Sequence, residues 1–218
     1  EFDDNEYLMM VTGHGTVKRI PFIALKTNRK GGIRAITLEE GDQLVNVIRT
    51  NGDDNILLAT AQGMAICFNE NDVRPMGRDA AGVRGISLSD TDYVIGAQKA
   101  EDGKTLLTVT ENGFGKRTEL PEYLRTGPDG EKIPQSRGGK GLKNYNITPK
   151  TGRVAGCRVV SDTDDVMLIE NGGVIIRIPA SSINLYKRDV QGVIVMRIEE
   201  GNQVVSIEAV ENNAEEEA

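Results

Sequence analysis

The chain contains no tryptophan and a single histidine, and only 4% of its residues are aromatic. Any apolar core must therefore be built from Val, Ile and Leu, a composition that favours strands. Two cysteines are too few for a disulfide framework, and Cys67 and Cys157 sit in apolar, strand-like runs away from any metal-ligand spacing. We read both as buried thiols in a reducing compartment. No stretch approaches the roughly 18 consecutive apolar residues of a membrane-spanning helix, and no cleavable signal pattern is present. The expectation is a cytoplasmic protein with no membrane partner. His14 stands in a turn with no Asp or Cys at ligand spacing, which argues for a surface role over catalysis or a metal site.

Glycine, by contrast, is abundant: 25 of 218 residues, spread without a collagen period, as expected of many tight turns between short elements. A hydrophobic share of 38% at this length is enough for a real core. The net charge of −7 has the wrong sign for a polyanion binder, so its distribution matters more than its sum. Residues 113–158 hold ten basic and four acidic groups, a local charge of +6 that leaves −13 for the remainder. Part of that negative charge lies in 211–218, which reads as a disordered acidic tail or a merely solubilising one.

Four segments share one order of features, and together they define the fold. The first runs YLMMVTGHGTVKRIP from Tyr7, RKGGIRAITL from Arg29 and QLVNVI from Gln43; the second runs NILLATAQGMAICF from Asn55, RDAAGVRGISL from Arg78 and YVIGAQ from Tyr93. The third has TLLTVTENGFGKRTEL, RGGKGLKNYNI and RVAGCRVV from Thr105, Arg137 and Arg153, and the fourth has DVMLIENGGVIIRIP, RDVQGVIVMRI and QVVSIEAV from Asp165, Arg188 and Gln203. Gly15, Gly63, Gly113 and Gly172 mark the hairpin turns, and Gly32, Gly82, Gly141 and Gly192 close the following loops. Each repeat predicts four strands of about five to seven residues, with 121–126 able to form one helical turn. A four-stranded unit recurring every ~50 residues has the size of a propeller blade, whose faces are buried only against neighbouring blades. The expected fold is therefore all-β and propeller-like, one domain over 1–210 with repeats at about 7–54, 55–104, 105–164 and 165–210. The third repeat carries an insertion near 127–134, and insertions in repeat folds tend to fall on the binding face.

The sharpest local feature is the basic glycine loop Gln135, Ser136, Arg137, Gly138, Gly139, Lys140, Gly141. Its glycines let the backbone approach a ligand and offer N–H groups for an anion nest, while Arg137 supplies a planar fork and Lys140 a point charge. Lys143 extends the same patch. A Walker loop needs Ser or Thr after the lysine, and Gly141 and Leu142 follow here, so nucleotide hydrolysis is rejected. Basic residues recur before each loop glycine: Arg29 with Lys30, Arg78, Arg137, and Lys187 with Arg188. Two repeats add a pair after the turn glycine, Lys18 with Arg19 and Lys116 with Arg117. Such recurrent cations suit summed phosphate contacts along duplex DNA.

At the level of whole motifs, PQSRGGKGLKNY and the runs YLMMVTGHGTVKRIP, RKGGIRAI and LLTVTENGFGKRTEL resemble the C-terminal DNA-wrapping domain of the bacterial DNA gyrase A subunit, over essentially all of 7–210. The resemblance implies a β-pinwheel whose four-stranded blades exchange strands with their neighbours. It further implies duplex DNA wrapped on a basic outer rim, so that the full ATP-driven type IIA topoisomerase can introduce negative supercoils. Its basic box, Gln-Arg-Arg-Gly-Gly-Lys-Gly, carries over to Gln135, Arg137, Gly138, Gly139, Lys140 and Gly141. Ser136 stands where the box has an arginine, and the box-like heptad lies in the third repeat, where the family has it in the first blade. The simplest expectation is a fragment lacking that blade. The family's catalytic tyrosine lies outside this domain, so Tyr7, Tyr93, Tyr123, Tyr145 and Tyr186 are expected to pack or line the rim. No catalytic centre and no cofactor are expected here; ATP and Mg2+ belong to the parent enzyme, whose cleavage core and ATPase B subunit are the implied protein partners.

Two other readings fit the same residues. One is the matching domain of a topoisomerase IV A subunit, which guides substrate choice. The other is a propeller-like protein-interaction scaffold, favoured if the basic loops were scattered and a central face were apolar.

Overall fold

The computed structural model describes residues 5–211, so 212–218 of the expected acidic tail lie outside the described residues. Regular structure among them is all β apart from short 3-10 turns. The first repeat forms β1 (Tyr7–Thr12), β2 (Thr16–Pro21) and β3 (Leu44–Thr50); the second forms β4 (Asn55–Thr60), β5 (Met64–Asn69), β6 (Val83–Arg84) and β7 (Val94–Lys99). The third forms β8 (Thr105–Thr110), β9 (Phe114–Glu119), β10 (Arg125–Thr126), β11 (Lys132–Ile133), β12 (Leu142–Lys143) and β13 (Val154–Val160). The fourth forms β14 (Asp165–Glu170), β15 (Ile175–Pro179), β16 (Val193–Ile194) and β17 (Val204–Val210). The insertion of the third repeat is the small hairpin β10–β11, and the single turn expected near 121–126 is a 3-10 turn over Leu120–Tyr123.

Each repeat supplies an antiparallel hairpin with its last strand beside it, and the sheet orders are β3-β1-β2-β6, β12-β5-β4-β7, β13-β8-β9-β16 and β15-β14-β17. The strand after Gly82, Gly141 and Gly192 is only two residues long and is donated to the sheet of the preceding repeat: β6 pairs with β2, β12 with β5 and β16 with β9. This corrects the expectation of four full strands per repeat and agrees with the strand exchange implied by the family resemblance. Residues 29–38, the corresponding run of the first repeat, form no strand, and β15 receives no donated strand among the described residues. Val17 of β2, covered by β6, is wholly buried, while Ile175 at the same place in β15 is 55% exposed.

The hairpin turns carry a glycine in the left-handed region at Gly15, Gly63, Gly113 and Gly173. The fourth turn glycine is thus Gly173 and not Gly172, because the turn places its third residue after Glu170 there: Gly173 N–H donates to the Glu170 carbonyl at 3.1 Å, as Gly113 does to Thr110 at 3.0 Å. In all four repeats the pairing of the first strand with the last shifts register just before this turn, at Val11/Thr12, Ala59/Thr60, Val154/Gly156 and Ile169/Glu170. Such a bulge sharpens the local twist at the hairpin tip.

The chain divides into two compact units. One comprises residues up to Thr60, Ala65–Ala100 and Tyr123–Leu142; the other comprises Ala61–Met64, Glu101–Glu122 and Lys143 onward. The core of the first joins Met9, Val11 and Val17 to Ile56, Leu58, Ile66, Phe68, Ile86 and Val94. That of the second joins Leu107 and Val109 to Val166, Leu168, Ile183, Met196, Val204 and Ile207. Met9 and Met10 are buried, and both cysteines are buried and free, as expected of the latter.

The loop glycines reveal why the donated strands need them. Gly192 has φ 68°, and a Cβ there would fall 2.3 Å from the Gly115 carbonyl oxygen of the receiving hairpin. Gly32, with φ 69°, has nothing within 4 Å. Gly192→Ala therefore meets both backbone strain and a collision, and should cost about 3 kcal/mol or more, whereas Gly32→Ala meets strain alone and should cost about 1 kcal/mol. Urea unfolding of the two variants gives the comparison.

Candidate nucleic-acid interface

The basic glycine loop is built on the second blade. The Gln135 N–H donates to the Cys67 carbonyl at 2.7 Å and its side-chain amide to the Tyr123 carbonyl at 2.8 Å. Gly138 N–H donates to the Gly85 carbonyl at 2.7 Å, and the Gly139 carbonyl accepts from Ser87 N–H at 2.9 Å. Arg137 is half-buried: its N–H reaches Asp72 Oδ2 at 3.2 Å, its Nε the Asp72 carbonyl at 3.1 Å, and its Nη1 the Arg84 carbonyl at 2.6 Å. The expected anion nest is thus corrected, because the N–H groups of Gln135, Arg137 and Gly138 are taken up by protein carbonyls and a carboxylate. Arg137 ties the loop to the donated strand β6 and keeps its positive charge at the surface, while Lys140 is exposed and enters no ion pair among the described residues.

The fourth repeat reproduces the hook. Arg188 Nη1 donates to the Lys143 carbonyl at 3.1 Å, the position that Arg84 occupies for Arg137. Its buried Nε has no hydrogen-bond partner among the described residues. Lys143 is exposed and caps Asn146 Oδ1 at 2.9 Å; Lys187 is exposed beside Arg188. In the first unit Arg29 and Lys30 are exposed on a loop with no strand pairing, and Arg78 is half-buried.

Four expected contact residues do not lie at any surface. Lys18, Arg19, Lys116 and Arg117 are 0%, 3%, 0% and 4% exposed, because they stand on inner hairpin strands whose flanks are covered by the following loop. Arg19 Nε is 2.9 Å from Glu70 Oε2, and its guanidinium stacks 3.8 Å from the Tyr7 ring centroid. Glu70 is satisfied by Thr50 Oγ1 and the N–H groups of Gly52 and Asp54 at 2.6–2.8 Å. Arg117 donates to the Ile183 carbonyl at 2.8 Å and pairs with Asp162. Lys18 Nζ donates to the carbonyls of Ala35 and Arg78 at 2.9 and 2.5 Å, and Lys116 Nζ to those of Lys187 and Arg188 at 2.7 and 2.5 Å. These four are internal fasteners, a role that their exposure to a polyanion would contradict.

Sequence reasoning missed Arg34 and Arg84. With Lys143 they stand two residues after the loop glycine in the first three repeats, and all three are exposed. The signal was present in the repeat itself, since a basic residue recurs two places after Gly32, Gly82 and Gly141. In the fourth repeat the place is taken by Ile194, 57% exposed. His14 also gains a partner invisible in sequence: its N–H donates to Asp42 Oδ1 at 2.9 Å and its ring lies 3.8 Å from Oδ2. The carboxyl of Asp42 is held below its ordinary range by bonds from Thr12, His14 and Gln43, which outweigh the desolvation that opposes them. Among the described residues no three His, Cys, Asp or Glu side chains gather as a metal site, and no helix is long and apolar enough to cross a membrane.

Comparison with known proteins places these features in context. The family described as DNA gyrase C-terminal domain, beta-propeller, matches residues 6–51, 54–101, 104–161 and 164–211. The DNA gyrase A subunit of Clostridium acetobutylicum is 42% identical over 216 residues, 99% of this chain and 25% of that protein. Its Escherichia coli counterpart is 36% identical over 217 residues, 100% of this chain and 24% of that protein. The chain thus spans about a quarter of the length of these curated relatives. A solved DNA gyrase A C-terminal domain superposes with TM-score 0.82 at 25% identity, covering 96% of this chain and 67% of that one. A solved DNA topoisomerase IV C-terminal domain superposes with TM-score 0.87 at 29% identity, covering 97% and 64%.

Burial pushes the Lys116 ammonium down to about 7, with Asp189 and Glu122 opposing and Arg188 reinforcing the shift. The unfolded chain holds that proton up to 10.5, so between pH 7 and 10.5 it binds more protons than the folded one and stability rises with pH. Burial also pushes Cys67 up to about 12 and Cys157 up to about 11 from 9.0, which lowers stability above pH 9. The clean window is therefore pH 7–9: Tm should climb across it, and Lys116→Met should flatten the climb.

Proposed function

The chain belongs to the DNA gyrase C-terminal domain family, and from that premise we propose that it binds and bends duplex DNA as the wrapping domain of a gyrase A subunit. The supporting observation is the recurrence of exposed cations at one place in the repeat, two residues after the loop glycine, at Arg34, Arg84 and Lys143, each following a loop that carries further basic residues. Backbone phosphates repeat regularly and carry no sequence information, so regularly repeated point charges suit them better than any base-reading device. Each unit offers its own set: Arg29, Lys30, Arg34, Arg78, Arg84 and Lys140 in one, and Lys143, Lys187 and Arg188 in the other.

The chain contributes no chemistry in this reading. It positions DNA for the cleavage core of its own subunit, while ATP and Mg2+ act in the parent enzyme with its B subunit, in the cytoplasm. A second reading has one specific support, the high structural similarity to the topoisomerase IV domain. In that case the same cations guide a duplex without a handed wrap.

Ligation of nicked circular DNA in the presence of the domain separates the two. A linking-number shift of one sign supports wrapping, binding without a shift supports the guide surface, and absence of binding sinks both. Affinity should fall by roughly 10³-fold or more between 50 and 200 mM salt if six or more phosphates are neutralised. Lys140→Ala with Lys143→Ala should lower the logarithmic salt slope by about 2 and weaken unrelated sequences equally.

A further inference from the structure

Two of the buried cations recur with a pattern of their own. In the first and third hairpins the third residue after the turn glycine is lysine, Lys18 and Lys116, and in the second it is Ile66. The loops above them differ in step. Lys18 donates to the loop that reads Arg78-Asp79 and Lys116 to the loop that reads Arg188-Asp189, whereas the loop over Ile66 has Arg137-Gly138 at the corresponding place. Over Ile66 the loop settles by close approach: a Cβ on Gly141 would come 3.2 Å from the Ile66 Cβ, and one on Gly139 would lie 3.9 Å from its Cδ1. Over the lysines the loop is held by charge-assisted hydrogen bonds to its own carbonyls. The loop aspartate adds to the hold, since Asp79 favours the charged form of Lys18 and Asp189 that of Lys116.

We infer that Lys18 and Lys116 are positioning residues for phosphate contact, each clamping from below the loop that presents Arg78 in one unit and Lys187 with Arg188 in the other. The inference rests on the DNA-binding reading and extends it to residues that never touch the duplex. Lys116 makes the stronger case. Its ammonium is wholly buried, donates to the carbonyls of both basic residues that it positions, and directs its remaining face toward the Tyr145 ring, 5.3 Å away. Tyr145 is itself fixed by its hydroxyl, which donates to the Gln191 carbonyl in the same loop. A neutral amine still satisfies the two carbonyls but loses the attraction of the ring and of Asp189, so the clamp loosens without letting go.

Proton linkage follows from this arrangement. The charged groups that act on the Lys116 amine are Asp189 and Arg188 from the loop and Glu122 from the turn after β9, and its proton is held only to about pH 7. A phosphate seated at Lys187 and Arg188 adds negative charge nearby and raises that limit, so binding takes up a proton as pH crosses neutrality. Affinity then falls with rising pH, with a slope of at most about tenfold per pH unit for one proton. Other groups of this unit do not confuse the reading: burial holds Cys157 up to about 11 and pushes Tyr145 higher still. His14, the only histidine, belongs to the other unit.

The test is duplex affinity and its salt slope, measured by anisotropy between pH 6 and 8.5 with wild type, Lys116→Ile, Asp189→Asn and His14→Gln. Wild type should lose affinity several-fold across the range, with its midpoint near neutrality. Lys116→Ile copies the second hairpin and should fold, bind about 3- to 10-fold more weakly at pH 6.5, show a shallower salt slope and lose the pH profile. Asp189→Asn removes a charge that favours the protonated lysine, so its midpoint should move to lower pH whatever its overall affinity. His14→Gln should keep the wild-type profile. A Lys116→Ile variant that melts cooperatively yet retains wild-type affinity and pH profile overturns the clamp, as does an unmoved midpoint in Asp189→Asn. Wild type that fails to bind with salt dependence overturns the DNA reading itself, a distinct result.

Discussion

The outer edge of each of the first three hairpins is covered by a strand that its own repeat does not supply. A lone hairpin of this length exposes one row of backbone donors and acceptors and half of an aliphatic face. The solution is a two-residue strand from the next repeat, whose preceding glycine fits so closely on the receiving backbone that a methyl group could not be accommodated at Gly82, Gly141 or Gly192. Much of the local structure depends on this one fit. It buries Val17, it sets the register that turns Arg84 and Lys143 outward, and it brings each basic loop down onto the inner strand of its neighbour.

That descent explains the buried cations. A loop arriving over a hairpin brings carbonyls without regular partners, and a buried unpaired carbonyl costs about 1–3 kcal/mol. Lysine at the inner strand satisfies two carbonyls with one group, and arginine satisfies carbonyls and a carboxylate together, as Arg19 does with Glu70 and Asn71. The penalty is the desolvation that pulls the Lys116 proton affinity down to about 7. Where glycines let the loop settle directly on an aliphatic residue, as over Ile66, no cation is needed.

The sequence made the repeat visible because the hairpin is local: strand alternation, a turn glycine and a second strand lie within fifteen residues. The all-β class, the loop glycines and the buried cysteines were legible for the same reason. The donated strands were not legible from periodicity, since two residues carry no period, and only the family resemblance announced an exchange. The pairs Lys18-Arg19 and Lys116-Arg117 misled because a basic dipeptide on a strand reads as one inward and one outward residue, and here both are covered, one by the arriving loop and the other by partners such as Glu70 and Asp162. Their hydrogen-bond partners lie 17 to 72 residues away, outside the hairpin and beyond any local signal. Arg34 and Arg84 were missed for the opposite reason: they are single charges outside the basic pairs, and Arg84 gains meaning only once the donated strand β6 is known.

Net charge then ceases to be an objection to a polyanion ligand. At physiological salt the Debye length is about 8 Å, so a phosphate responds to the cations it nearly touches and scarcely to carboxylates on a remote face. What counts is whether local cations are available, and the structure sorts them by that criterion. Arg137 and Arg188 divide their donors between the protein and the surface, Lys140, Lys143 and Lys187 are exposed, and Lys18 and Lys116 are withdrawn altogether. A loop held rigid by withdrawn cations loses less side-chain and backbone freedom when a phosphate arrives, so part of the ordering cost of binding is met in folding. The buried lysines therefore serve the interface more by fixing its geometry than their charges could by joining it.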